Sequence, residues 1–163
     1  MKKIFGLVFL GSMLLCTAVS AADVRVSDAI KFARHEVPRS CRLQNIDEFS
    51  DAYGIDFRDF RDFRNYTVYV DKVDGRPLAR HMKSSNIIGS TNVVVSKEQI
   101  TRSAFVRYKD IRKVDLKLEA EGQNNVMYHL ICGNAKYAID AYYNPVTGSM
   151  CKEVIVYRYK DKK

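Results

Sequence analysis

Apolar and polar positions divide the chain into a short leader and a longer stretch of mixed periodicity. Met1-Lys2-Lys3 is followed by the apolar run Ile4 to Leu15 and then Val19-Ser20-Ala21, the charged, apolar and small-residue order of a secretory signal peptide cleaved after Ala21. Beyond it, Ile30, Ala33 and Val37 recur at helical spacing behind the cap candidates Ser27-Asp28, and Pro38 predicts the stop. Asn45 and Glu48 read as a second helix start, with Ile46, Phe49, Tyr53, Phe57 and Phe60 at helical spacing and Gly54 weakening the middle. The run Asp56 to Arg64 then repeats Asp-Phe-Arg three times. A strand would scatter its phenylalanines over both faces, whereas a helix keeps them on one stripe with Arg58 and Asp62 in reach of each other, so helix is predicted here too.

From Tyr66 the period shortens to two. Tyr66, Val68 and Val70 alternate with Thr67, Tyr69 and Asp71, and Val73-Asp74-Gly75-Arg76 offers a turn before 77–82, which predicts a β-hairpin. A polar loop over 84–91 and a short strand at Asn92-Val93-Val94-Val95 follow. Ser96 and Gln99 form a capping box that opens a helix to about Asp110, with Ile100, Ala104, Phe105, Tyr108 and Ile111 on its apolar side. Four alternating strands are predicted over 114–119, 126–132, 135–143 and 150–159, broken at Gly122, Gly133-Asn134 and 144–148. The fold class is α+β: a helix packed on a four-stranded antiparallel β-meander, with an additional N-terminal helical and hairpin segment as a second similar unit. The division is signal peptide 1–21, N-terminal segment 22–91 and C-terminal helix plus sheet 92–163.

Composition adds the compartment. Cys16 follows Leu15, where lipidation signals need a small residue, so it is expected to leave with the leader. The remaining chain has no apolar run near the ~20 residues that span a bilayer, and the Lys-Lys start points to a bacterium and its periplasm. Cys41, Cys132 and Cys151 survive, and an oxidising compartment predicts one disulfide and one leftover thiol. In a meander Cys132 and Cys151 lie two strands apart and out of step, so Cys41 bonded to Cys132 or to Cys151 is the favoured pairing.

The C-terminal pattern of helix 96–110, the strand ending Leu118-Glu119, then Tyr128-His129-Leu130, Tyr137-Ala138-Ile139-Asp140-Ala141 and Pro145-Val146-Thr147-Gly148 resembles the PepSY domain family over residues 94–158. That family's units run helix, strand, strand, Tyr-x-Val-x-Val-Asp, Thr-Gly, strand. Tyr142 and Tyr143 depart from it, standing where an acidic residue is more usual. Tyr66 to Asp71 with Gly75 echoes Tyr137 to Asp140 with Gly148, the signature a diverged tandem repeat would leave. The resemblance implies a non-enzymatic extracytoplasmic module. PepSY units occur in protease propeptides and are proposed to inhibit peptidases or bind polypeptides at the cell envelope, and a related shape occurs in tandem β-lactamase-inhibitor modules. It carries over no inhibitory residue.

The residues themselves carry little chemistry. His35, His81 and His129 are far apart, His129-x-x-Cys132 lacks a second ligand pair, and no nucleophile, zinc-protease or phosphate-loop motif occurs, so no catalytic residue, metal or cofactor is expected. Two binding readings remain. In the first, an envelope protein or polypeptide docks on the aromatic and arginine surface of Phe57, Arg58, Phe60, Arg61, Phe63 and Arg64. The alternative takes the basic excess, 27 Lys and Arg against 19 Asp and Glu, as a binder of lipopolysaccharide, phospholipid or extracellular DNA. Arg107, Lys109, Arg112, Lys113, Arg158 and Lys160 would form that face, meeting anionic lipid or glycan. The compartment argues against a stable nucleic-acid role.

Overall fold

The computed structural model describes residues 23–122 and 124–159; the leader predicted over 1–21, with Cys16, lies outside them. Helix α1 (Val26–Arg34) precedes strands β1 (Arg42–Glu48), β2 (Ala52–Asp59), β3 (Arg64–Asp71) and β4 (Pro77–Ser84). Helix α2 (Lys97–Arg107) precedes β5 (Lys113–Glu121), β6 (Asn125–Gly133), β7 (Tyr137–Tyr143) and β8 (Met150–Tyr157). All eight strands join one antiparallel sheet in the order β1-β2-β3-β4-β8-β7-β6-β5. This corrects the expected helix on a four-stranded meander with a separate helical and hairpin segment: the chain builds one continuous sheet with two helices, and β4 pairs with β8 at its centre.

The helices α1 and α2 cover one face. Directly paired residues on neighbouring antiparallel strands share a face, and the buried partners run unbroken across the sheet: Phe57 with Tyr66, Tyr66 with Met82, Met82 with Glu153, Glu153 with Ala141, Ala141 with Leu130. Ala29 and Ala33 of α1 and Ile100 and Ala104 of α2 sit one helical turn apart, fully or almost fully buried, in the same core. Small residues there let each helix approach the sheet closely. The capping box forms as expected, Gln99 N donating to Ser96 Oγ at 3.3 Å and Ser96 N to Gln99 Oε1 at 2.8 Å.

The two halves match in detail. Val24 N donates to Lys72 O at 2.6 Å and the Tyr53 hydroxyl to Val24 O at 3.1 Å; in the second half Val95 N donates to Pro145 O at 2.8 Å and the Tyr128 hydroxyl to Val95 O at 2.7 Å. The turns correspond as well. Gly75 and Gly148, at φ 73° and 69°, donate to Asp71 O and Asn144 O, while the Asp71 and Asn144 side chains accept from the backbone of Val73 and Asp74 and of Val146 and Thr147. The seam pairs His81 with Val154 and, to either side, Arg80 with Ile155 and Met82 with Glu153.

The region 45–64 is where expectation and structure part. No helix forms there; Ile46 lies on β1, while Tyr53, Ile55 and Phe57 alternate inward from β2. Gly54 marks a close approach, since a Cβ there would meet the Phe49 ring at 2.9 Å. The Asp-Phe-Arg run is a hairpin: Phe57 ends in the core, and Asp59, buried, accepts from Ser40 Oγ at 2.6 Å and from the backbone N–H of Arg61 at 2.9 Å, turning the chain at Phe60-Arg61-Asp62-Phe63. Those contacts hold the Asp59 carboxyl below the usual carboxylate range, the Ser40 hydroxyl first. Phe63 takes φ 52° to complete the turn. The short strand predicted at Asn92-Val95 is also absent: Val94 and Val95 bond instead to Pro145 O.

Phe57→Ala is expected to cost about 3–5 kcal/mol in urea unfolding, the range for a buried phenylalanine, whereas Phe60→Ala and Phe63→Ala should each stay within about 0.5 kcal/mol. Equal losses at all three would instead place all three rings in the core.

Candidate functional site

With one face covered by helices, the other is open, and the elements place distinct chemistry at its middle and at its two ends. Its middle is an interrupted aromatic band. Tyr69 meets Phe49 at 6.1 Å and His81 edge-on at 5.2 Å between ring centroids, and His129 stacks on Tyr142 at 4.4 Å and 2°. Lys152 lies 5.4 Å over the Tyr142 ring. His129 lies between two carboxylates, 2.9 Å from Glu119 through Nδ1 and 3.2 Å from Asp140 through Nε2. Partial burial and the Lys152 ammonium lower the pKa of His81 below its ordinary value, which favours the neutral ring.

One end of the sheet carries the Asp-Phe-Arg hairpin tip. The expected six-residue surface is divided by the strand period: Phe57 is 1% exposed and belongs to the core, while Phe60 and Phe63 are 50% and 46% exposed. Arg61 is exposed beside them, and Arg58 and Arg64 are half-buried at the base. The Arg58 guanidinium lies 5.1 Å over the Phe60 ring, with Arg42 on β1 at 5.9 Å, so cations ring the exposed aromatics. The tip is tied down: besides the Asp59 turn, Ser85 N donates to Phe63 O at 2.9 Å. Arg42 was not anticipated from the sequence; only its pairing opposite Arg58 brings it in.

The other end gathers most of the expected basic face. Arg112, Lys113 and Arg158 line a cleft of about 1050 Å³, and Arg107 and Lys109 line an adjoining cleft of about 490 Å³. Lys160 lies outside the described residues. Lys136, in the β6–β7 turn, lines both clefts, and Arg80 lines the second; neither was singled out from the sequence, because only the folded turn and the seam bring them here.

Between the helices and the sheet lies a buried charge cluster. Glu153, at 0% exposure, accepts from the Tyr108 hydroxyl at 2.6 Å and from Arg107 Nε at 3.2 Å, and pairs with Arg80. Burial opposes its charge, yet Arg80, the Tyr108 hydroxyl and Arg107 together hold its carboxyl below the ordinary carboxylate range. The same burial beside Glu153 pushes the Tyr108 phenol up. With its oxygens engaged this way the carboxylate is a structural charge.

Cys41, Cys132 and Cys151, the expected disulfide partners, are three buried free thiols here, and burial pushes each up to about 11. At neutral pH each is therefore held as the protonated thiol, the weakly nucleophilic form. No cluster of three His, Cys, Asp or Glu side chains among the described residues could hold a metal ion. No described helix is long and apolar enough to cross a membrane.

No protein-family model matches the chain, and no curated protein matches it. Among solved structures, the crystal structure of a BLIP-like protein from Bacteroides fragilis is similar to it at 15% identity and a TM-score of 0.32, covering 86% of this chain and 93% of that one.

Replacing Lys152 by Ala should raise the His81 titration midpoint followed by NMR, because a neighbouring positive charge disfavours the imidazolium. An unmoved midpoint would remove Lys152 from the environment of His81.

Proposed function

We propose that the protein is an exported, non-enzymatic binding module of the bacterial periplasm that docks another envelope protein, in the manner of an inhibitor, through its aromatic hairpin tip and the adjoining open sheet face. The observation that carries this reading is the exposure of Phe60 and Phe63 on a four-residue tip held by Asp59, Ser40 and Ser85 and ringed by arginines. Aromatic and arginine side chains are the residues that most often dominate binding energy, and a tip already fixed loses little conformational freedom on docking. The ring of Arg42, Arg58, Arg61 and Arg64 suits a partner with an apolar pocket and an acidic rim, for which opposite potential sets orientation and association rate.

The test is affinity capture from detergent-solubilised envelope at low and high salt, wild type beside the double variant Phe60→Ala/Phe63→Ala. A discrete protein retained at high salt by wild type, and weakened at least about tenfold in the double variant, is the expected result. Retention equal in both would remove the tip from the function, and turnover of an envelope substrate would replace the reading altogether.

A further inference from the structure

The larger basic cleft lies at the opposite end of the sheet from the hairpin tip and is independent of protein docking there. We propose that it binds a phosphate-bearing amphiphile, with the phosphate among Arg112, Lys113, Lys136 and Arg158 and the apolar part laid against Ile131 and Ala138.

Charge in this cleft is left uncompensated. Several surface cations elsewhere are neutralised by a neighbouring carboxylate: Arg25 and Lys31 by Asp28, Lys72 by Glu48, Arg76 by Asp74. In this cleft, Arg112, Lys113 and Lys136 have no side-chain ion pair or hydrogen bond among the described residues, and the Arg158 guanidinium reaches only Asn134 O, at 3.4 Å. Of the two carboxylates lining it, Asp115 is paired with Lys117 at 3.2 Å, which leaves Asp110 alone against four cations. Two guanidinium forks and two ammonium groups around one concavity match the several acceptor oxygens of a phosphate.

The frame is built before any ligand arrives. Asn134 Nδ2 donates to Lys109 O at 3.1 Å, and the Tyr137 hydroxyl donates to the same carbonyl, clamping the α2–β5 connection onto the β6–β7 turn. Asn134 Oδ1 accepts from Lys136 N at 2.7 Å and Tyr137 N at 3.1 Å, and Arg158 N donates to Lys136 O at 2.6 Å. Asp110 turns the connection at φ 60°, a left-handed conformation that aspartate tolerates better than most side chains. The backbones that bear the four cations are thus held in place.

The lining selects the kind of phosphate ligand. Ile131 is 48% exposed on β6, with Ala138 of β7 beside it in the same cleft, so apolar surface continues directly from the cationic walls. Among the described residues no aromatic ring lines the cleft, so a nucleobase would find nothing there to stack on. A phosphate joined to an aliphatic portion satisfies both parts.

The test uses the mature full-length chain with vesicles of phosphatidylglycerol or of phosphatidylcholine, and separately with glycerol 1-phosphate by calorimetry. The double variant Arg112→Glu/Arg158→Glu is compared with Arg39→Glu/Lys97→Glu, which changes net charge equally at exposed positions outside the cleft. The proposal predicts binding to phosphatidylglycerol and not phosphatidylcholine, weakened at least about tenfold by the first pair and less than about threefold by the second. Ile131→Ser should weaken vesicle binding while leaving glycerol phosphate binding within about twofold. Equal loss in both charge variants, or no preference between the vesicles, would overturn the site. Glycerol phosphate bound as tightly as the vesicles, with vesicle binding unchanged by Ile131→Ser, would overturn the amphiphile in favour of a soluble phosphate ester. Retention of a captured envelope protein should be unchanged by Arg112→Glu/Arg158→Glu, so the docking reading stands or falls separately.

Discussion

A carboxylate with no exposure to water at the middle of an eight-stranded sheet is the constraint around which the molecule is arranged. Glu153 takes its partners from two elements: Arg80 from β4, and Arg107 and Tyr108 from the end of α2. Arg80 also donates to Glu36 O at 2.9 Å just past α1, and the Tyr157 hydroxyl of β8 donates to the Glu36 carboxylate. Both helices and both central strands therefore converge on one network. An isolated buried charge is costly, and removing one member of such a group strands the others without solvent. The network also specifies register. A slip of one residue between β4 and β8 would turn Glu153 onto the open face and leave Arg80 and Arg107 facing nothing.

That register makes two similar halves into one surface. Arg80 and Glu153 stand at matching places in the two halves, on either side of the central His81 and Val154 pair, so a cation in one half and an anion in the other join the halves together. With the seam fixed, the β2–β3 tip and the α2–β5 connection fall at opposite ends of the sheet. The aromatic band of Tyr69, His81, Tyr142 and His129 lies between them on the face without helices. Two chemically different surfaces, one aromatic with arginines and one basic, thereby lie at opposite ends of a single sheet.

Local signals in the chain were informative wherever one element decides its own form. The capping box at Ser96 and Gln99, the alternation from Tyr66 onward and the Gly-containing turns locate α2 and six of the strands, because capping and period two act within a few residues. The stretch 45–64 failed because Ile46, Phe49, Tyr53 and Phe57 reach helical spacing by accident of two short strands and a turn, and because a three-residue repeat matches neither period well. What decides it is Asp59, a turn former whose partner Ser40 is remote in sequence. The basic residues 107–113 and 158 were legible as charge, but their meeting with Lys136 needs the β6–β7 turn to lie under them. Nothing local marks Glu153 among alternating strand residues: its partners are 45, 46 and 73 positions away.

The most direct test of the buried network is urea unfolding of wild type and Glu153→Gln side by side between pH 7 and pH 3. The folded-state pKa of Glu153 lies below its unfolded value, so its ionised form stabilises the fold above the unfolded pKa, and that contribution is lost as pH falls through the folded one. At pH 7 the variant should be less stable by about 3–5 kcal/mol, the cost of breaking a buried pair from one side, and the gap should narrow toward pH 3 as the native carboxylate protonates. A gap below about 1 kcal/mol at pH 7, or one that stays constant with pH, would contradict the central role given to this charge.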